Sequence, residues 1–343
     1  MSATRTAAPR IGFLAQVDHS ALTAGIQLFV AADELGYDVG YVRTRHLQDA
    51  LSSPLQFLAV AGQYARRIQL GTAVIPLRFE NPGRLAEDLA TADLLLEGRL
   101  RPGVGSGYSA HDAMYMRAFG SVGDDRAEHV DRVLADTLAF LDGEIVSTAD
   151  THIEGVDKGT SLQVQPQAPG LRSRVAYGAA GPERAAKAGT DGMGLQLATM
   201  VPDDGSGRSF ELLQLEVLEA YREASREAGH GDGHVMVSRQ MIPVAQESDL
   251  ERYQSLIPRE RTTAPGMTAE HRAAEIGGHQ AVFSEVVIDT PGVVAQAMVA
   301  DAVLQQADEI CLTLPFGATV QEQRTVLETF GQQVLPHLVT AIL

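Results

Sequence analysis

Arg67-Ile-Gln-Leu-Gly-Thr-Ala-Val-Ile-Pro76, Asn81-Pro-Gly-Arg-Leu-Ala-Glu-Asp88 and Leu94-Leu-Leu-Glu-Gly-Arg-Leu-Arg-Pro-Gly-Val-Gly-Ser-Gly-Tyr108 read as strand, helix and strand in direct succession. The run from Ile68 to Leu77 has the length of a buried strand. Asn81 and Pro82 then open a helix that lines Leu85, Leu89, Ala92 and Leu96 along one face. The second strand starts at Arg99. Gly71, Thr72 and Ala73 sit late in the first strand, and Gly103, Gly105 and Gly107 crowd the second. Backbone without Cβ atoms lets a flat ligand approach closely, which marks the ends of these two strands as a candidate binding surface.

The alternation extends in both directions. Upstream, Ile11 to Gln16 is a short apolar strand, and a helix from Ala21 to Leu35 stops at Gly36. Val39 to Arg43 is a second strand ending in Thr44-Arg45-His46, and Pro54 opens a helix that runs to Arg66. Downstream, a loop from Tyr108 to Asp124 leads to a helix with Val130, Val133, Leu134 and Leu138 on its buried stripe. The stretch from Gly143 to Gly170 is polar and carries an alternating piece, Ser161 to Gln165, that suits a short hairpin. Strands follow at Arg174–Gly178, Gly192–Leu197, His234–Val244 and Glu309–Leu314, with helices at Pro182–Ala188, Ser209–Ala228, Pro291–Gln306 and Val320–Leu335. Gln246 to Gln280, dense in Glu and Arg, is too long for an ordinary connection and reads as a partly helical lid.

Strands alternating with helices, without a duplicated half or a linker, predict an α/β fold of the (β/α)8 TIM-barrel type. It would span residues 1–343 as a single domain, with insertions after helix 4 (about 143–170) and between strands 7 and 8 (about 246–280). An open doubly wound sheet is the alternative. With 27 basic and 44 acidic residues, a net charge of −17 and a pI near 4.9, the chain repels nucleic acid and anionic lipid. Cys311 is the single cysteine, set in the apolar Glu309-Ile-Cys-Leu-Thr-Leu314, where a core thiol is expected rather than a nucleophile. The first ten residues lack an apolar signal core, so a cytoplasmic protein without membrane partners is expected.

Barrels of this type bind ligands at the C-terminal ends of their strands. His46, at the end of the second strand beside Arg45, is the candidate for proton handling, with a plain wall histidine as the alternative. The Gly178-Ala-Ala-Gly181 turn enters a helix at Pro182, where free N–H groups and the helix dipole suit a phosphate, although turn geometry alone accounts for such a sequence equally well. Gly103-Val-Gly-Ser-Gly107 lacks the last glycine of a dinucleotide fingerprint and enters a loop. His111 and Asp112 read as a solvated loop. His230 and His234 are separated by Gly231 and Gly233, which argues against a helical metal pair. No metal site is expected, and with so few acid and base groups a cofactor would carry the difficult chemistry.

The three opening segments, together with Ala31-Ala-Asp-Glu-Leu-Gly-Tyr-Asp38, Ser53-Pro-Leu55 and, more weakly, Tyr177 to Gly192 and Asp289-Thr-Pro-Gly292, resemble the bacterial-luciferase-like flavin-dependent monooxygenases. The resemblance spans most of the chain in the family's order. It implies a (β/α)8 barrel holding FMN over the ends of strands three and four, with a non-proline cis peptide at Ala73-Val74. The cofactor-binding residues implied are Ala73, Val74, Ser106, Gly107, Tyr108, Ala176, Tyr177, Gly178, Ala180 and Gly181, with His46 as the catalytic residue and Glu87 in a structural role. The activity implied is that of a monooxygenase acting on a small organic substrate with molecular oxygen and reduced FMN from a partner reductase. A deazaflavin-dependent hydride-transfer enzyme and a non-catalytic flavin-binding protein are the alternatives, and a homodimer is implied. Two positions depart from the family pattern: Arg45-His46 replaces the His-His of many relatives, and Ser106 stands where many carry a phosphate-clamping arginine.

Overall fold

In the computed structural model, which describes residues 8–107, 112–257, 273–276 and 279–342, strand alternates with helix from the start. β1 (Arg10–Ala15) is followed by α1 (Leu22–Leu35), β2 (Val39–Val42) and α2 (Pro54–Tyr64). β3 comes in two pieces, Gln69–Thr72 and Ile75–Pro76, and after α3 (Pro82–Leu95) so does β4, Leu100–Arg101 and Gly103–Gly105. Gly36 ends α1 in the left-handed region at φ 86°, and Pro54 and Pro82 occupy the first turns of their helices. There the missing proline donor costs no hydrogen bond.

The chain continues with α4 (Asp112–Phe119), α5 (Arg126–Leu141) and a hairpin of β5 (Ile145–Thr148) with β6 (Ser161–Gln163). Next come β7 (Ala176–Gly178), α6 (Pro182–Thr190), β8 (Gly194–Leu197), β9 (Met200–Pro202), α7 (Phe210–Glu227) and β10 (Val235–Pro243). After α8 (Glu247–Leu256), β11 (Ala273–Ile276) and β12 (His279–Phe283) form a small antiparallel sheet with β9. The Gln246–Gln280 segment is thus partly helical and partly stranded, and its residues 258–272 and 277–278 lie outside the described set. β13 (Val286–Asp289), α9 (Pro291–Ala300), β14 (Glu309–Thr313), α10 (Val320–Thr329) and α11 (Leu335–Ile342) complete the chain.

The fold is an α/β fold built on a curled parallel sheet. Parallel pairings run β1–β2, β2–β3, β3–β4, β4–β7, β7–β8, β8–β10, β10–β14, and back from β14 to β1. Every residue of β10 is buried, as expected of a parallel strand covered on both faces. Leu14, Val39, Tyr41, Met236 and Cys311 form a cluster inside the curl, whereas Phe13, Phe29, Leu58, Leu70, Leu89 and Phe330 belong to the larger layer between sheet and helices. Cys311 is a buried free thiol whose pKa burial pushes well up, in keeping with a core role.

Buried carboxylates tie helices to strand starts. Asp33 accepts the N–H groups of Arg66, Arg67 and Ile68 at 3.1, 3.1 and 2.7 Å, so α1 holds the entry to β3. Asp93, 2% exposed, takes a bidentate pair from Arg174 at 2.7 and 2.8 Å and the N–H of Leu100 at 3.2 Å, fixing the starts of β4 and β7 together. These ties set strand register from below and leave the upper strand ends to carry the site.

Candidate active site

The C-terminal ends of the strands surround a cavity of about 370 Å3, within the size range of small-ligand sites. Ala73 and Val74, in the break between the two pieces of β3, form its floor and are joined by a cis peptide, as the resemblance implied. Ser106, Gly107, Gly178, Ala180 and His46 also line it. Seven of the expected residues therefore meet around one space.

The glycines near the floor also make room for protein atoms. A Cβ on Gly105 would lie 3.0 Å from Val74 Cγ2, and one on Gly178 would lie 2.8 Å from Val74 Cγ1. A Cβ on Gly103 would meet the Thr72 carbonyl at 2.2 Å, and one on Gly107 would meet Pro76 Cβ at 2.8 Å. These positions admit protein atoms from β3 and its neighbours, and Gly105, Gly107 and Gly178 line the cavity as well. Gly181 is the exception, with nothing within 4 Å of its ideal Cβ. Gly107 also has φ +71°, which a side chain would strain.

His46 stands in an aromatic wall. Its ring centroid is 4.6 Å from that of Phe79 and 4.8 Å from that of Phe119, and Phe79 is 4.9 Å from Tyr115. Burial holds the His46 pKa below the usual imidazole value, so the ring is neutral at pH 7. Its Nε2 is buried without a hydrogen-bond partner, as are Oγ1 of Thr44 and Thr313 and Oε1 of Gln196 on the same cavity. Buried polar atoms left this way call for a ligand that carries donors and acceptors.

Tyr115 and Phe119 belong to α4, where the sequence suggested a loop. The helix escapes a periodicity search because none of its residues is buried in the main core. Arg78, 1% exposed, holds it at both ends, donating from Nε to Asp112 Oδ1 at 2.8 Å and from Nη2 to the Gly120 carbonyl at 3.3 Å. Asp112 is accordingly a tie point rather than a solvated loop residue, while His111 lies outside the described residues.

Beside this wall, Glu80 is pushed up to about 7 by burial and, secondarily, by the nearby Asp88 carboxylate. With its folded pKa above the unfolded value, Glu80 binds a proton between about pH 4.5 and 7 that the unfolded chain does not, so its presence costs stability as pH rises through that window. Glu80→Gln is expected to raise stability by roughly 2 kcal/mol at pH 8 and to have little effect at pH 4.5. Urea unfolding at the two pH values checks this, and equal effects at both would contradict the assignment.

The turn at Ser106, Tyr177 and the start of α6 collect groups suited to an anion. Gly181 is the N-cap of α6, which has no side-chain cap, so backbone N–H groups point outward. The buried Tyr177 hydroxyl faces Ser106 without a well-aligned hydrogen bond, and its pKa is raised by burial. Arg126, the first residue of α5, donates from Nη2 to the carbonyls of Ser106 and Gly107 at 2.6 and 3.0 Å, and its Nε lies 3.2 Å from Asp112 Oδ2. Arg184 pairs with Asp131 next to Tyr177.

The remaining expected residues are placed as follows. Ala176, at the start of β7, lines a different cavity, of about 470 Å3, at the N-terminal ends of the strands with Arg101 and His234. The correction is geometric: β7 is short and begins at Ala176, so the phosphate-type turn is confined to residues 178–181. Tyr108 lies outside the described residues. Glu87 pairs with Arg84 on the surface of α3 at 3.2 Å. His230 faces the Thr190 carbonyl and His234 the Glu309 carboxylate, and among the described residues no group of three metal-ligating side chains occurs.

The family model of the luciferase-like monooxygenases matches residues 8–307. The chain belongs to the luciferase-like monooxygenase family. It is therefore an enzyme of the oxidoreductase class. An F420-dependent glucose-6-phosphate dehydrogenase from Beutenbergia cavernae is 26% identical over 282 residues, covering 74% of this chain and 82% of the relative. The monooxygenase RslO1 from Streptomyces bottropensis superimposes with a TM-score of 0.71 at 20% identity, covering 96% of this chain and 99% of its own. The oxygenating constituent of 3,6-diketocamphane monooxygenase from Pseudomonas putida, in complex with FMN, gives 0.68 at 17% identity with the same coverage. At these identities the two structures establish the shared luciferase-like fold.

Several residues of the site carry weak sequence signals. Phe79 follows β3 by a few positions and Thr313 ends β14, so the rule that ligands bind at strand ends reaches both. Phe283 comes to the cavity from the added antiparallel sheet, and Tyr115 from α4; no spacing pattern announces either. Among the described residues, no helix is long and apolar enough to cross a membrane.

Proposed function

We propose that this protein is an FMN-dependent monooxygenase with a (β/α)8 barrel, using reduced flavin and molecular oxygen on a small organic substrate. One observation carries this proposal. The mouth cavity is lined both by small residues, Ala73, Val74, Ser106, Gly107, Gly178 and Ala180, and by an aromatic wall that holds a neutral His46. A flat, polar-edged ring with a phosphate tail matches the first set, and an apolar chamber for substrate matches the second.

The residues present fit such a cofactor. Gln196, Thr44 and Thr313 offer unpartnered buried atoms to a ring edge, and the start of α6 offers N–H groups to a phosphate. Bound reduced flavin supplies the electron pair for oxygen activation. The protein supplies the rest: Val74 supports the ring, the aromatic wall excludes water, and His46 Nε2 accepts or returns a proton at the substrate.

A second proposal, deazaflavin-dependent hydride transfer, is favoured by the Beutenbergia relative, whose named activity uses F420. Anaerobic titration of the protein with FMN, reduced FMN and F420 distinguishes the two, and micromolar binding of reduced FMN, followed by oxygenation of an organic substrate once oxygen is admitted, supports the first. Binding of F420 alone replaces it with the second, and binding of none rules out both. We further propose a cytoplasmic homodimer served by a separate reductase. Val60 and Tyr64 on α2 and Leu94 and Leu95 on α3 are 48 to 64% exposed, a set of apolar side chains suited to a partner copy. A one-chain mass in sedimentation would contradict the dimer.

A further inference from the structure

We propose that the cavity at the N-terminal ends of the strands is a second binding site, which takes a monocarboxylate with an apolar body: the acid group on Arg101, the body over Tyr41, Ala176 and Met236. This lower cavity lies at the other end of the sheet from the mouth. Among the described residues the two share only Gln196 and Met236, which form the layer between them. The proposal therefore stands whichever cofactor the mouth holds.

The space exists because two positions are small. The inside of a closed parallel sheet is ordinarily filled by bulky side chains. Here Ala176 on β7 and Gly194 on β8 are register partners, and an ideal Cβ on Gly194 would lie 3.2 Å from the Ala176 Cβ, so both face the same way. Neither reaches far inward, and a hollow of about 470 Å3 remains. That volume lies within the range of small-ligand sites.

Its charge selects the ligand. Arg101 Nε donates to Gln69 Oε1 at 2.6 Å, which pins one edge of the guanidinium. The two Nη nitrogens have no partner among the described residues, so the end that grips a carboxylate through two parallel hydrogen bonds is free. Burial lowers the Arg101 pKa, and the nearby Arg10 guanidinium adds to the effect. The other charges around the cavity are matched. Arg174 is held by Asp93, and Asp232 by Arg226. Glu309, fully buried behind Tyr41 and His234, has Arg10 Nη1 at 3.9 Å and His234 Nε2 at 3.6 Å. One unmatched positive charge suits a monoanion; a dianion would meet Asp232 and Glu309 with a single free cation to offset it. An independent observation also calls for an occupant. Ser225, 1% exposed on α7, lines the cavity, and its Oγ has no hydrogen-bond partner.

The test uses benzoate, its neutral isostere benzamide, and para-bromobenzoate, whose bromine is located by anomalous scattering in soaked crystals. The bromine is expected in the lower cavity near Tyr41, Ala176 and Met236, with the carboxylate on the Arg101 Nη atoms. In solution, calorimetry should give benzoate a Kd of about 1 mM or tighter and benzamide one at least about tenfold weaker, as for a charge-assisted pair. Arg101→Gln should bring the two within about twofold of each other. Ala176→Leu, which fills the hollow and keeps the cation, should remove binding of both, and it decides the matter if Arg101→Gln does not fold. Bromine found only in the mouth cavity, or binding at crystal concentration only, overturns the proposal. Equal affinity for benzoate and benzamide overturns it too, as does an unchanged preference in Arg101→Gln or unchanged binding in Ala176→Leu. Inorganic phosphate that displaces benzoate at equal concentration would show a general anion site and overturn the carboxylate assignment.

Discussion

Replacing His46 by alanine is expected to lower substrate turnover by about 10²- to 10³-fold, the usual range for loss of a positioned proton carrier. Cofactor affinity should change by less than about threefold, because the ring contacts of His46 are to Phe79 and Phe119. The pH dependence gives a second readout. Burial lowers the His46 pKa, so its neutral, proton-accepting form predominates at pH 7. For wild type, kcat/KM should fall on the acid side at a pH below the ordinary histidine value of about 6.5, and that limb should disappear in His46→Ala. His46→Gln, which keeps a hydrogen-bonding group but cannot carry the proton, should resemble alanine. Stability follows the same sign: the folded chain binds fewer protons at this site than the unfolded one, so the contribution is present above about pH 6.5 and is lost as pH falls toward the lower folded pKa. Steady-state rates across pH 5 to 9 would remove His46 from the chemistry if the alanine variant stays within about threefold of wild type.

Gly103→Ala is expected to be the most damaging single-methyl change at the site. The added Cβ would lie 2.2 Å from the Thr72 carbonyl oxygen and 2.3 Å from Gln196 Oε1. A long side chain could swing aside, but the Thr72 carbonyl belongs to β3, whose register is held on both sides by β2 and β4. Three hydrogen bonds converge here as well. Gly103 N–H donates to Thr72 Oγ1 at 2.9 Å, Thr72 Oγ1 donates to the Gly103 carbonyl at 2.8 Å, and Gln196 Nε2 donates to the Thr72 carbonyl at 3.1 Å. Pushing β3 and β4 apart disturbs all three in a closely packed interior. A loss of about 3 kcal/mol is expected, read as a lower denaturant midpoint with the slope unchanged. Because Gln196 lines the cavity, weaker cofactor binding should accompany it. Gly181→Ala is the control: its Cβ would meet nothing within 4 Å, so its stability should stay within about 0.5 kcal/mol of wild type. Equal midpoints for Gly103→Ala and wild type would show that the two strands can separate without penalty.

Much of the framework was legible in the residues because it depends on local chemistry. Gly36, Pro54, Pro82, Pro182 and Pro291 mark helix ends and starts where the sequence places them, since backbone φ and missing donors act within one turn. The buried strand around Cys311 was equally clear from its run of apolar residues. The rest needed partners distant in the chain. α4 buries nothing in the main core, and its hold on the mouth comes from Arg78, 34 residues away from Asp112 in sequence. β13 attaches to the upper end of β10, a pairing that no periodicity within either segment specifies.

The stretch from Arg67 to Tyr108 shows where the division falls. Its sequence alone determined a strand, a helix and a strand, because periodicity, caps and small residues are properties of neighbours along the chain, and the family resemblance carried by the same residues implied that Ala73 and Val74 lie beneath a ligand. Tertiary structure decided what the glycines are for and where the charge at the Ser106 turn comes from. Gly105 and Gly178 make room for one valine, and Gly103 accommodates Thr72 and Gln196. The guanidinium at the Ser106 turn arrives from Arg126, 20 residues further along the chain. Close packing and charge pairing are set by distances in space, and only the folded sheet brings those groups together.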